Sequence, residues 1–141
     1  MIDRARVEQH LRTVLQMVEA LHRHQGRSEQ ELRADLDLLS AIAHEMQIGI
    51  QSALDAGAHV LVAGELNQFE QYRDIPERLA AHGVVPTPLG DALADLAGFR
   101  NVLVHQYLLL RELVHAKLRT VPDDLEAFAR ALLTHLDRTG A

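Results

Sequence analysis

Arg100, Asn101, His105 and Tyr107 fall within the run GFRNVLVHQYLLL, Gly98 to Leu110, whose other side chains are almost wholly apolar. A guanidinium, an amide, an imidazole and a phenol among Leu, Val and Phe are costly to bury unless partnered. Such a departure from patterning marks a candidate site. A histidine titrates near neutral pH and can take or give a proton. A guanidinium can hold a phosphate and stabilise the charge that builds on its oxygens. Together, with no metal and no covalent nucleophile beyond Tyr107, they suit RNA cleavage, in which the substrate's own ribose 2′-hydroxyl attacks. One histidine does not comfortably serve both the attacking and the leaving oxygen, and a two-fold dimer offers a second copy.

Taken singly, each residue has a structural explanation. Arg100 could be half of a buried ion pair, His105 a satisfied core histidine, and Tyr107 a core aromatic with its hydroxyl at the surface. The four together, at this spacing, favour function. Other chemistries find less support. His44-Glu45 begins like a zinc-protease signature, but the residue four after His44 is Ile48, so the second ligand is missing. His22 and His24 are two apart on a helix and point to different sides. His10, His59, His82, His115 and His135 have no partner at ligand spacing, so no metal is expected. Gly26, Gly49, Gly57 and Gly64 are scattered and form no phosphate-cradling loop. The absence of cysteine excludes a thiol nucleophile and a disulfide framework. No cofactor is expected.

The elements that must position the motif are helices. Projected at 100° per residue, Leu89, Leu93, Leu96, Leu103 and Tyr107 form one stripe with Arg100 in its middle. Asn101 and His105, four apart, share a flank roughly 100° or more away. Two arrangements fit. A straight helix would lay the Arg100 stem along the apolar face and let its guanidinium reach the His105 side. A break near Gly98 would instead bring the two together.

Thr87-Pro88 opens this motif helix, with Thr as N-cap and Pro at the first helical position. Upstream, Val7, Leu11, Val14, Leu15, Val18 and Leu21 predict a first helix over Ile2 to His24. Ser28 with Glu31 is a capping box that starts a second, long helix running to about Ala63. Gly49 and Gly57 weaken it or admit a close neighbour. Gly64 to Asp74 is the least patterned stretch and reads as a loop. Ile75 to His82 is a short helix with Pro76 in its first turn, and Gly83 to Pro86 a linker. After the motif, Arg111 to Arg119 continues helically. Thr120-Val121-Pro122 is a break, and Asp123 with Glu126 caps a last helix over Leu125 to Leu136. No strand alternation or internal repeat is found. The expected fold is all-α, an antiparallel bundle of four main helices plus a short one, as a single domain over residues 1–141.

Composition narrows the class. The 141 residues are 48% hydrophobic, enough for a core and too many for a disordered chain. No run approaches a membrane span, and MIDRARVEQH has no signal-peptide hydrophobic region, so a cytoplasmic protein without membrane association is expected. A formal net charge of −6 argues against a general nucleic-acid coat but leaves room for one local basic cleft. Lys117 is the single lysine. Sparse aromatics and no Trp make single-strand stacking platforms improbable.

Arg100-Asn101-x3-His105-x-Tyr107 resembles the R-x4-H-x-Y signature of the HEPN superfamily, specifically the HepT-like toxins. The long second helix, the loop and short helix ending in Gly83-Val84-Val85-Pro86, and the motif helix that follows are similar to the same family. The resemblance implies an all-α, metal-independent endoribonuclease toxin of a type II toxin–antitoxin system. It implies a homodimer with the motif in an interface cleft, an RNA substrate, and an MNT-type nucleotidyltransferase antitoxin that can join it in a larger hetero-oligomer. Carried over residue by residue, Arg100 and His105 are catalytic and Asn101 supports them. Tyr107 accepts AMP, which silences the toxin. The alternative is a non-catalytic HEPN-type module in which the same residues bind a nucleotide or a partner. A third reading is a helical dimerisation protein whose polar cluster is structural.

Overall fold

The computed structural model describes residues 2–64, 69–106 and 111–141. Among these residues all regular structure is helical. In order, α1 spans Arg4–His22, α2 Glu29–Ala34, α3 Leu36–Ala63, α4 Asp74–Ala81, α5 Thr87–Gln106, α6 Arg111–Leu118 and α7 Val121–Thr139. The bundle is all-α, as its apolar spacing predicts, with more and shorter segments than expected.

The main difference is at Asp35. The expected single helix from Ser28 to Ala63 is two. Ser28 and Glu31 do form the capping box that starts α2. Asp35 then turns extended, at φ −130° and ψ 95°, and its carboxylate accepts from the Leu38 backbone N–H at 3.0 Å. An aspartate that caps the following helix competes with helix continuation. The last helix also begins earlier than expected. Thr120 is its N-cap, and Pro122 sits inside the first turn, where its missing N–H costs nothing. The Thr120-Val121-Pro122 stretch is therefore a helix start, and Asp123 lies within α7.

α3 is the axis of the bundle and packs against α1, α2, α4, α5, α6 and α7. Leu39, Ile42, Met46, Ile50, Leu54 and Leu61 of α3 are fully buried, and the core they enter is one continuous cluster. Gly49 and Gly57 mark close approaches. A Cβ on Gly57 would lie 2.9 Å from Ile75 Cγ2 and 3.0 Å from Leu79 Cδ1 of α4. One on Gly49 would lie 2.9 Å from Leu125 Cδ1 of α7.

α4 ends on Gly83, whose φ of 73° is the left-handed value that glycine adopts without strain. Val84 N–H then returns to the Leu79 carbonyl at 2.9 Å, and Val84 and Val85 are buried. This turn reverses the chain into α5, which lies against α4, α3 and α7. No helix is long and apolar enough to cross a membrane among the described residues.

Candidate active site

α5 carries the motif. Its ladder begins with the Pro86 carbonyl accepting from Gly90 N–H at 3.0 Å, one residue earlier than a Thr87 N-cap would place it. Leu93, Leu96, Ala97, Phe99 and Leu103 are buried along one side. Gly98 is exposed within an unbroken helix, so the backbone break near it that the second arrangement requires is not found. Val104, on the edge of the projected stripe, is 42% exposed.

Arg100 is half-buried beside this stripe, and Asn101 and His105 are exposed on the adjoining flank. Its guanidinium reaches that flank. Nη1 donates to Asn101 Oδ1 at 2.8 Å. The Arg100 Cζ lies 5.5 Å from the centroid of the Tyr72 ring. Nε is buried and has no hydrogen-bond partner among the described residues. No carboxylate pairs with Arg100 among them either, so the buried ion pair is not found. Tyr107 lies outside the described residues, and nothing of its structure enters the site. The fold thus brings Arg100 and Asn101 into contact and puts His105 one turn further on the same flank as Asn101.

The family model for ribonuclease HepT-like proteins matches residues 9–132, nearly the whole chain and all four motif residues. The chain belongs to the HepT-like family. Solved structures of similar fold include a mutant form of the toxin–antitoxin pair MntA–HpeT, at TM-score 0.83 and 21% identity over 92% of this chain and 98% of that one. A second is a tri-AMPylated HEPN toxin of Shewanella oneidensis in complex with its MNT antitoxin, at TM-score 0.82 and 21% identity over 95% and 99% of the two chains. A third is YutE of Bacillus subtilis, a cytosolic protein of unknown function, at TM-score 0.81 and 22% identity over 98% and 93%. At such identities these likenesses carry the fold. No match is found among curated proteins.

Two cation contacts of this HepT-like chain escape pattern reading. Tyr72 sits in the stretch with least periodicity, where nothing in the spacing points at Arg100. Lys117 of α6 has its Nζ 5.6 Å from the Phe99 ring centroid. Between α3 and α5 runs a groove of about 510 Å³, with Asp37, Ser40, His44 and Gln47 facing Leu103 and Val104. It opens beside the motif.

The histidines are better partnered than their sequence spacing suggests. His10 and His59 stack across α1 and α3, with ring centroids 5.4 Å apart. His115 Nε2 is 3.1 Å from the Arg27 carbonyl, and His24 Nε2 is 3.6 Å from Glu45 Oε2. His22, Asp123 and Glu126 bring three ligand-type atoms within 4.8 Å of one another, a grouping created by α1 meeting α7. Asp123 and His22 are exposed there, and Glu126 is already engaged by Arg130 at 2.9 Å.

Proposed function

We propose that this chain is the toxin of a toxin–antitoxin pair and cleaves RNA without a metal, acting as one HEPN-like unit in the cytoplasm, where its substrate is. Membership of a ribonuclease family supports the chemistry. Two of its structural relatives are toxin–antitoxin complexes, which supports the role. The observation that carries the reading is the state of Arg100. It is held in place by neutral groups, has no carboxylate partner among the described residues, and reaches the flank that bears His105.

In this mechanism Arg100 binds the scissile phosphate and neutralises the charge that collects on its non-bridging oxygens. The ribose 2′-oxygen forms a bond to phosphorus as its proton passes to His105. The bond from phosphorus to the 5′-oxygen breaks, and that oxygen takes a proton from a second imidazole. The products are a 2′,3′-cyclic phosphate and a 5′-hydroxyl. The second imidazole is the partner subunit's His105 in a homodimer formed about α5. The exposed Val102 and Val104, at 36% and 42%, support an interface on that helix. Asn101 holds the guanidinium by its amide oxygen.

Control falls to a nucleotidyltransferase antitoxin of the MNT type, assembled with the toxin in a larger hetero-oligomer. It transfers AMP from ATP to the Tyr107 phenol oxygen. A bond forms from that oxygen to the α-phosphorus, pyrophosphate leaves and the phenolic proton is released. The AMPylated toxin of Shewanella oneidensis supports this reading. Tyr107 is seven residues after Arg100, and the added phosphate competes with RNA for the guanidinium while the adenosine obstructs the cleft.

A second reading, a non-catalytic HEPN-type module that binds a nucleotide or a partner, draws on the net charge of −6, which opposes the approach of RNA. Growth separates the two. Expression of the parent chain alone is expected to arrest growth, and Arg100→Ala and His105→Ala are each expected to abolish the arrest while remaining folded. Equal toxicity of parent and His105→Ala would remove His105 from proton transfer. A folded parent without any effect would favour the binding module.

A further inference from the structure

We infer that Tyr72 is a positioning residue for Arg100, its ring fixing the guanidinium plane on the flank of α5 that carries Asn101 and His105. The inference rests on the reading of Arg100 as the phosphate-binding group.

Tyr72 lies in the turn that leads into α4, and that turn is built. Asp74 Oδ2 accepts from the backbone N–H of Glu70 at 3.2 Å and of Gln71 at 3.0 Å. Asp74 N–H donates back to the Gln71 carbonyl at 3.0 Å, and Ile75 N–H to the Tyr72 carbonyl at 3.2 Å. Ile75 and Pro76 are buried immediately afterwards, which anchors the turn to the core. The Tyr72 backbone is therefore fixed although the residue is 46% exposed.

The contact lies within the roughly 6 Å range in which a ring face attracts a guanidinium. It complements the bond from Nη1 to Asn101. The amide fixes one edge of the fork and the ring fixes its face, and together they define the plane. Neither partner carries a charge. A carboxylate in either place would orient Arg100 equally well but would hold its charge and compete with the phosphate. Nη2 makes no hydrogen bond among the described residues and can donate to a phosphate oxygen. An arginine side chain otherwise loses substantial rotamer freedom on engaging a ligand, and a pre-set plane removes that cost before substrate arrives.

The test compares parent, Tyr72→Phe and Tyr72→Leu in RNA cleavage and in the NMR spectrum of arginine side chains. The Arg100 Nε–H signal is identified by its loss in Arg100→Lys. Tyr72→Leu is expected to lower kcat about three- to tenfold, the range of a partly desolvated cation–π contact, while remaining folded at the assay temperature. Tyr72→Phe keeps the ring and is expected to retain parental kcat. The Arg100 Nε–H proton is expected to be shifted by the ring current in the parent and Tyr72→Phe and to lose that shift in Tyr72→Leu. An active parent indifferent to Tyr72→Leu, or a Tyr72→Phe as impaired as Tyr72→Leu, would overturn the positioning role and leave the ribonuclease reading standing. A parent that does not cleave RNA would overturn both, even with the ring-current shift present.

Discussion

Arg100 keeps its charge available because the groups that hold it, an amide and a phenol ring, are neutral. Half of that arrangement could be read from sequence. Asn101 follows Arg100 directly, and a guanidinium among leucines needs a partner. The Tyr72 contact could not, since it depends on a turn whose bonds come from the Asp74 carboxylate and not from any periodic pattern. The same limit applies to His10 and His59, which are far apart in sequence and stack only because α1 lies on α3. That pair has a measurable consequence. Burial first, then His10 and Arg6, lower the His59 pKa below the ordinary imidazole value, against the smaller opposing pull of Asp55 and Asp3. The unfolded chain then takes up the proton more readily than the folded one. Stability is full above pH of about 6.5 and is lost as pH falls from there through the lower folded value. Urea midpoints at pH 8 and pH 5 are expected to differ less in His59→Gln than in the parent. An equal drop in both would show that the stacked pair does not couple to folding. His135, lowered by burial and then by Arg138, leaves a remainder of the effect in the variant.

Among the elements, α5 shows how one helix can treat the same residue type in two ways. Gly90 faces α4, where an added Cβ would stand 2.8 Å from Ala80 Cβ and 3.0 Å from the Pro76 carbonyl oxygen. Neither atom is the end of a flexible side chain. Gly98 has nothing within 4 Å of an added Cβ. Alanine gains about 1 kcal/mol of helix propensity over glycine at either place. At Gly90 an overpacking cost of about 1–3 kcal/mol offsets it. Gly98→Ala is therefore expected to raise unfolding stability by up to about 1 kcal/mol. Gly90→Ala is expected to lower it by up to about 2 kcal/mol. Urea denaturation of both variants checks the pair, and a gain in Gly90→Ala would mean that α4 and α5 separate freely. The helices themselves were largely legible, because their apolar positions recur at three and four. The break at Asp35 was not. The leucine pattern runs straight through it, and only the carboxylate's bond to Leu38 N–H reveals that one helix stops and another starts.

At the scale of the molecule, an acidic chain is proposed to bind a polyanion. The net charge of −6 is an average over the chain, and several of its acids pair locally with arginines. Glu8 and Asp137 pair with Arg4, Glu29 and Glu112 with Arg33, Glu31 with Arg27, and Glu126 with Arg130. Arg100 stands outside these pairs. Composition alone points away from RNA, whereas the motif and the family point towards it, and Arg100 has no acid partner among the described residues. The measurement that bears most directly on the account is the chemistry of the cut ends. Purified parent and His105→Ala are incubated with RNA in excess EDTA, and the fragments are weighed. The account predicts fragments from the parent that end in a 2′,3′-cyclic phosphate and begin with a 5′-hydroxyl, and none from His105→Ala. Cleavage that stops in EDTA and returns with magnesium, or that survives in His105→Ala, would contradict it.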